Sequence, residues 1–338
     1  MRFPKLLLKG QTIGVCAPSA GVTPADFPRL DNAIANVRAL GYNVVESPSL
    51  RKGIKCVSAP AATRAAEFMV MYGDPNIHAI IPPWGGEFLM DILPHVDFKA
   101  LAALPPKWIS GYSDISTLTF PMTLLCDVAT IHGSNFMNMG SAAIDPSDAM
   151  LFETMGKTQI TQQSAPFWGS FSGWTDISQP LYTLDKPGVW KALCGSSSLA
   201  FKGRIIGGCM DTLTKLVGTE YGYVNDFLDK YSGDGFIWTL ESCQMDAADI
   251  YRSLWQMEQA GWFRHCAGMM YGRAAGYSDA KGFTLADALA NVFGPLGIPV
   301  IYDADIGHTP PIMQLVNGAY ATVEYAESSA TITQIYMN

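Results

Sequence analysis

Residues 107–126 read KWISGYSDISTLTFPMTLLC. The stretch opens on an apolar, strand-favouring run at Trp108 and Ile109. It breaks at Gly111-Tyr112-Ser113-Asp114, then resumes as a long apolar segment that reads as a helix in spite of Pro121. A buried strand feeding a buried helix through a short polar turn is the repeating unit of a sheet covered by helices.

The same alternation extends outward in both directions. TIGVCAP (12–18) reads as a strand ending in a Pro/Ser/Gly loop, and PADFPRLDNAIANVRALG (24–41) as a helix stopped by Gly41. YNVVES (42–47) is a strand, APAATRAAEFMVMYGD (59–74) a helix, and IHAIIPPW (77–84) a strand that runs into Gly85-Gly86. FLMDILPHVD (88–97) is helical, and VATIHGS (128–134) is the last strand of the series. Alternation with short connections predicts a parallel sheet, and ligands of such sheets bind beyond the carboxyl ends of the strands.

From about residue 141 the texture changes. QSAPFWGSFSGWTDISQPLYTLDKPGVW (163–190) is rich in Ser, Gly, Pro and Trp and has weak periodicity. The elements that follow are shorter and mixed, ending in a hairpin formed by QLVNGAYATVEY (314–325) and SATITQIYM (329–337). The predicted fold class is therefore α/β. Residues 1–160 form an N-terminal parallel-sheet domain, 161–190 a linker or active-site loop, and 191–338 a smaller C-terminal α+β domain with mixed strands.

Composition removes several classes of function. The formal charge of −8 and a pI of about 5.1 argue against nucleic acid or an anionic membrane as main partner, since both require basic patches. No run approaches the ~18 apolar residues of a membrane span, and the three leucines after Lys5 are too few for a secretion signal. Seven cysteines, odd in number and without a CxxC pair, read as reduced thiols of a cytoplasmic protein. Five histidines without HExxH or HxH spacing predict no metal site.

The tetrapeptide Gly-Tyr-Ser-Asp occurs twice, at 111–114 and at 276–279. A serine nucleophile needs a rigid, exposed position near a base and near donors for an oxyanion. Ser113 has that setting, at a strand-to-helix turn. Ser278 is followed by Ala280, Lys281 and Gly282, with a helix starting only near Thr284, and reads as a surface turn. Gly85-Gly86 ends the preceding strand, so an N–H of this turn and that of Asp114 can converge on one oxygen. His308, in a small-residue loop after IPVIYD, is the candidate base, with His132 at the end of VATIH as a competitor. Glu241, after GFIWTL, is the candidate orienting acid. Asp114 is too close to Ser113 to orient a distant histidine and is expected to cap the helix or hold the loop.

GYSDIS with Ser113, FIWTLES with Glu241 and DIGHTPP with His308, in this order, resemble the LD-carboxypeptidase family of serine peptidases, which includes the microcin C immunity peptidases. TIGVCAPS, PPWGGEFLMDILPHVDFKALAALPPKWIS and FKGRIIGGCMDTLTKLVGTEY support the resemblance, which spans about residues 10–318. It implies a Ser113–His308–Glu241 triad, an oxyanion hole from Asp114 and the Gly85-Gly86 turn, no cofactor, and a homodimer. Murein-recycling members carry Arg-Gly-Gly-Tyr-Gly where this chain has Trp84-Gly85-Gly86-Glu87-Phe88. The chain looks more like the microcin-immunity branch, which implies an aminoacyl-nucleotide-like substrate and a base-stacking role for Trp190, though Trp190 reads equally as a core anchor of the linker. A murein tetrapeptide is the alternative substrate, and a ligand-binding protein without turnover is the alternative of another class.

Overall fold

The computed structural model describes residues 1–336. In the first part, β1 (Thr12–Val15), α1 (Phe27–Ala39), β2 (Asn43–Glu46), α2 (Ala61–Gly73), β3 (Ile77–Ile80), α3 (Phe98–Ala103), β4 (Trp108–Ile109), α4 (Ser116–Cys126) and β5 (Thr130–His132) follow in chain order. The first four strands form a parallel sheet ordered β2-β1-β3-β4. β5 adjoins its edge through a parallel bridge between Ser110 and Ile131. The strands are short because each runs from one helix-covered layer straight into a turn. Ile13, Val15, Ala79, Ile80 and Ile109 are fully buried among them.

The segment read as linker has more structure than its composition suggested. α5 (Pro146–Gly156) and β6 (Gln159–Gln163) precede a two-stranded hairpin of β7 (Phe167–Phe171) and β8 (Tyr182–Pro187), and β9 (Lys191–Ala192) follows. The chain continues through β10 (Ser198–Cys209), α6 (Met210–Leu213), α7 (Asn225–Lys230), β11 (Phe236–Glu241), α8 (Ala247–Gln259), β12 (Cys266–Gly272), α9 (Leu285–Leu296) and β13 (Val300–Ala304) to β14 (Leu315–Asn317), β15 (Tyr320–Ala326) and β16 (Ser329–Ile335).

The second sheet has eight strands, ordered β6-β16-β15-β10-β11-β12-β13-β9. It is mixed, as expected: β10 to β13 are parallel, and the strands at both ends are antiparallel. It is also the larger sheet, eight strands to four, with β6 joining one edge from outside the 191–338 segment and β9 closing the other. The terminal hairpin forms as β15 and β16, closed by Glu327 and Ser328 in left-handed conformation, as a two-residue turn between twisted strands requires.

α4 is where the two halves meet. Nine of its residues are buried, on every side of the helix, so it carries no polar stripe. Its Phe120 ring stacks on Trp262 with centroids 5.0 Å apart, and Trp238 of β11 packs beside both. The helix that Ser113 introduces is therefore clamped between the two sheets. Nearby, β5 of the first part pairs antiparallel with β14 of the second.

Candidate active site

Ser113 sits at φ 63°, between extended Tyr112 and the helical turn Ser113–Ile115 that leads into α4. A non-glycine residue in the left-handed region costs about 1–2 kcal/mol, so the surroundings must hold it there. The Gly111 N–H donates to Ile131 O at 3.1 Å and the Tyr112 N–H to Asn135 Oδ1 at 3.3 Å. Asp114 fixes the other side. Its Oδ2 accepts from Ser19 Oγ at 2.5 Å and from the Leu89 N–H at 2.9 Å, and its Oδ1 from Thr117 Oγ1 at 3.2 Å. Burial pushes the Asp114 carboxyl up, against these hydrogen bonds and Arg64. Its side chain thus holds the loop, the second of the two roles expected for it.

The Gly85-Gly86 turn presses directly against this elbow. A Cβ on Gly85 would lie 2.8 Å from Ser113 Oγ and 2.9 Å from the Asp114 nitrogen. Only glycine permits that approach. Gly86, at φ 147°, faces Ser19 in the same way. The turn is pinned by the Ala20 N–H donating to Gly85 O at 3.3 Å and by Trp84 Nε1–H donating to Ala20 O at 3.1 Å.

Glu241 ends β11 and is fully buried. Its Oε2 lies 2.9 Å from His308 Nδ1. Room for the carboxylate comes from Gly307 at φ 88°, where a Cβ would come within 2.3 Å of Glu241 Cδ. Burial opposes charge on both partners. The pairing outweighs it on each: Glu241 is held below the usual carboxylate range by His308, with smaller help from His132 and Cys209. His308 is raised above the ordinary imidazole range by Glu241 and the neighbouring Cys243 thiol.

The two groups are brought to one place. Tyr112, next to the nucleophile, packs its ring edge-on against His308 with centroids 5.0 Å apart. Ser113 and Asp114 open onto a cavity of about 720 Å³ that is also lined by Cys209, Asp211, Cys243 and Gln244, which flank Glu241 in space or sequence. Among the described residues no hydrogen bond joins Ser113 to His308. Such contacts are commonly loose without substrate and tighten in the complex.

None of His132, His308 and Glu241 lines the cavity itself, and His132 lies on the far oxygen of Glu241 from His308. It is buried, with Nδ1 3.5 Å from Ser116 Oγ and Nε2 3.9 Å from Glu241 Oε1, and burial pushes its pKa down to about 4 in spite of Glu241. Trp190 is fully buried too, packed among Ile205, Ile301 and Tyr325, and offers no ring face to a ligand; it anchors the end of the linker. Ser278 lies exposed in a loop, its carbonyl accepting from the Ala247 N–H at 3.0 Å.

Sequence reasoning missed Ser19, which no motif marks. It also missed Asp211, whose carboxylate accepts from the N–H groups of Cys243 at 2.8 Å and Gln244 at 3.0 Å and so shapes the loop after Glu241. One signal was available. β10 runs straight into α6 while β11 ends in a polar loop, and parallel pairing sets Cys209 beside Glu241.

An elbow serine, a glycine turn against its backbone and a buried carboxylate–imidazole pair lie together at the junction of two α/β units. Residues 13–133 match the LD-carboxypeptidase N-terminal domain and residues 202–323 the LD-carboxypeptidase C-terminal domain, so the chain belongs to the LD-carboxypeptidase family of serine hydrolases. It is 26% identical over 332 residues to the probable murein peptide carboxypeptidase of Bacillus subtilis, covering 97% of this chain and 93% of that one. It is 25% identical over 341 residues to the microcin C7 self-immunity protein MccF of Escherichia coli, covering 98% and 96%. Among solved structures, an MccF-like protein from Bacillus anthracis superposes with a TM-score of 0.86 at 23% identity, over 100% of both chains. MccF in complex with aspartyl sulfamoyl adenosine gives 0.82 at 23% identity, over 99% of both. Among the described residues no helix is long and apolar enough to cross a membrane.

Proposed function

We propose that this chain is a serine amidase of the microcin-immunity type, acting through Ser113, His308 and Glu241. The observation that carries the reading is the left-handed Ser113 elbow packed through Tyr112 against a histidine already paired with a buried glutamate. Ser113 Oγ attacks the carbonyl of an aminoacyl amide while His308 takes its proton. Glu241 holds the imidazole by Nδ1 and stabilises its charged form. Charge growing on the carbonyl oxygen is met by the Asp114 N–H and an N–H of the Gly85-Gly86 turn. His308 then protonates the leaving nitrogen, and water enters by the reverse of the first step to release the acid from Ser113. None of these steps calls on a group beyond the chain's own residues.

The substrate class follows from what borders the nucleophile. Where murein-recycling members carry arginine and tyrosine around the glycine pair, this chain has Trp84, Glu87 and Phe88. Trp84 stacks on Trp174 of the 161–190 segment at 6.0 Å, an aromatic wall beside the proposed oxyanion turn and outside the lining of the Ser113 cavity. Such a wall suits a flat nucleoside better than a peptide carboxylate. The sulfamoyl nucleosides bound by MccF are therefore the substrates of choice for a test. Incubation with aspartyl or glutamyl sulfamoyl adenosine, and separately with a murein tetrapeptide, is followed by mass spectrometry. Release of the free amino acid from the sulfamoyl adenosine is expected. Cleavage of the tetrapeptide alone would instead establish the murein reading.

A further inference from the structure

We propose that Cys209, Glu241 and His308 form an inhibitory zinc site inside the catalytic pair. One donor atom from each of the three lies within 4.8 Å of the other two. The set is a thiol, a carboxylate and an imidazole, the combination that favours Zn2+ over the hard cations Mg2+ and Ca2+. Three elements supply it: the ends of β10 and β11 and the loop after β13. No short sequence motif encodes it.

A second observation points to an ion independently of that spacing. Glu241 uses Oε2 for His308, but its Oε1 is buried without a hydrogen-bond partner. The facing atom, His132 Nε2, is also buried and without a partner, 3.9 Å away. Tetrahedral zinc with bonds of about 2.0–2.3 Å sets its donors roughly 3.3–3.8 Å apart. The Glu241–His132 spacing of 3.9 Å lies outside that range, and His132 is not among the three clustered donors, so the fourth position is left to solvent. Donors as far as 4.8 Å apart must close by about 1 Å, and the Glu241–His308 pair, at 2.9 Å, must open slightly to reach that range. Cys209 lines the cavity that Ser113 opens onto, which gives the ion a route in. On binding, the Cys209 thiol and the charged His308 imidazole each lose a proton to solvent, and the ion replaces the hydrogen bond between Glu241 and His308. The imidazole is then held by the metal and cannot serve Ser113.

The test uses the full-length, metal-free protein and a readout that does not depend on the substrate. Titration with Zn2+ followed by calorimetry is expected to show one ion per chain. Co2+ in its place is expected to give a thiolate-to-metal charge-transfer absorption. C209S should lose that absorption and weaken Zn2+ binding by at least about tenfold, whereas C243S should keep both. X-ray absorption on zinc-loaded wild-type protein, which needs no variant, should find one sulfur ligand. Failure to bind zinc stoichiometrically, a zinc shell without sulfur, or dependence on Cys243 rather than Cys209 would overturn the proposal. None of these outcomes bears on whether Ser113 is the nucleophile.

Discussion

At the scale of single residues, the chemistry turns on His308 and its charge. Burial and pairing pull in opposite directions, and pairing with Glu241 wins. A base must be neutral to accept a proton, so a raised imidazole pKa makes the enzyme sluggish at low pH. The expected kcat/KM therefore climbs as pH rises past neutrality, with its acid limb above the ordinary imidazole range. Glu241→Gln removes the negative charge and should move that limb to lower pH. It should also cut kcat by roughly 10³- to 10⁴-fold, as loss of the orienting acid does in other triads. A limb that stays in place would mean that Glu241 does not set the charge of His308. The second Gly-Tyr-Ser-Asp copy supplies a control: Ser278→Ala changes an exposed loop and should leave kcat/KM within error of wild type. The strand-to-helix turn at Ser113 was legible in the sequence because its flanks differ so sharply from those of Ser278. Trp190 was not. An aromatic residue at a loop end looks the same whether it faces a ligand or a core, and only the edge pairing of β9 onto β13 decides.

At the scale of elements, two strand-end turns touch where the proposed oxyanion hole lies. The turn after β3 can reach the backbone of Ser113 and Asp114 only because Gly85 lacks a side chain. Gly85→Ala drives a methyl group into Ser113 Oγ and the Asp114 nitrogen. We expect kcat to fall at least about 10²-fold, the usual cost of a displacement near 1 Å in a reacting centre. Stability should fall by only about 1–3 kcal/mol, read from urea midpoints. Near-normal kcat in a folded Gly85→Ala protein would remove this turn from the reaction. The glycine pair, the strand before it and the helix start at Thr284 could all be read from composition and spacing. The 161–190 segment could not. The alternation of β7 is interrupted at Gly169, where the register with β8 shifts, and β6 finds its partner, β16, some 170 residues away through pairing that no local pattern records.

At the scale of the whole molecule, the site exists only while the two halves stay in register, because Ser113 comes from one and Glu241 and His308 from the other. Part of that register is held by a buried polar hub at Gln314. Its Oε1 accepts from the Ser134 N–H at 3.0 Å, and its Nε2 donates to Ser134 Oγ at 2.9 Å and to Ser147 O at 3.0 Å. Its backbone exchanges hydrogen bonds with the side chain of Gln162 and accepts another from Gln334. Gln314→Leu leaves several of these groups buried and unpaired, each costing about 1–3 kcal/mol. The unfolding free energy should drop by about 2–4 kcal/mol, seen as a lower urea midpoint, and activity should fall with it. An unchanged midpoint would show that the halves are held in register elsewhere. Such a hub is invisible in sequence because its partners are scattered from 134 to 334 and glutamine is ordinarily a surface residue.

The most direct measurement is made on the nucleophile itself. Wild-type protein and Ser113→Ala are incubated with aspartyl sulfamoyl adenosine, and both the products and the intact protein mass are followed in time. Wild type should release aspartate and pass through a transient aspartyl adduct on the peptide containing Ser113. Ser113→Ala should show neither while keeping its fold by circular dichroism. Aspartate release by Ser113→Ala at a rate near wild type, or an adduct on any other residue, would contradict the assignment of Ser113 as the nucleophile.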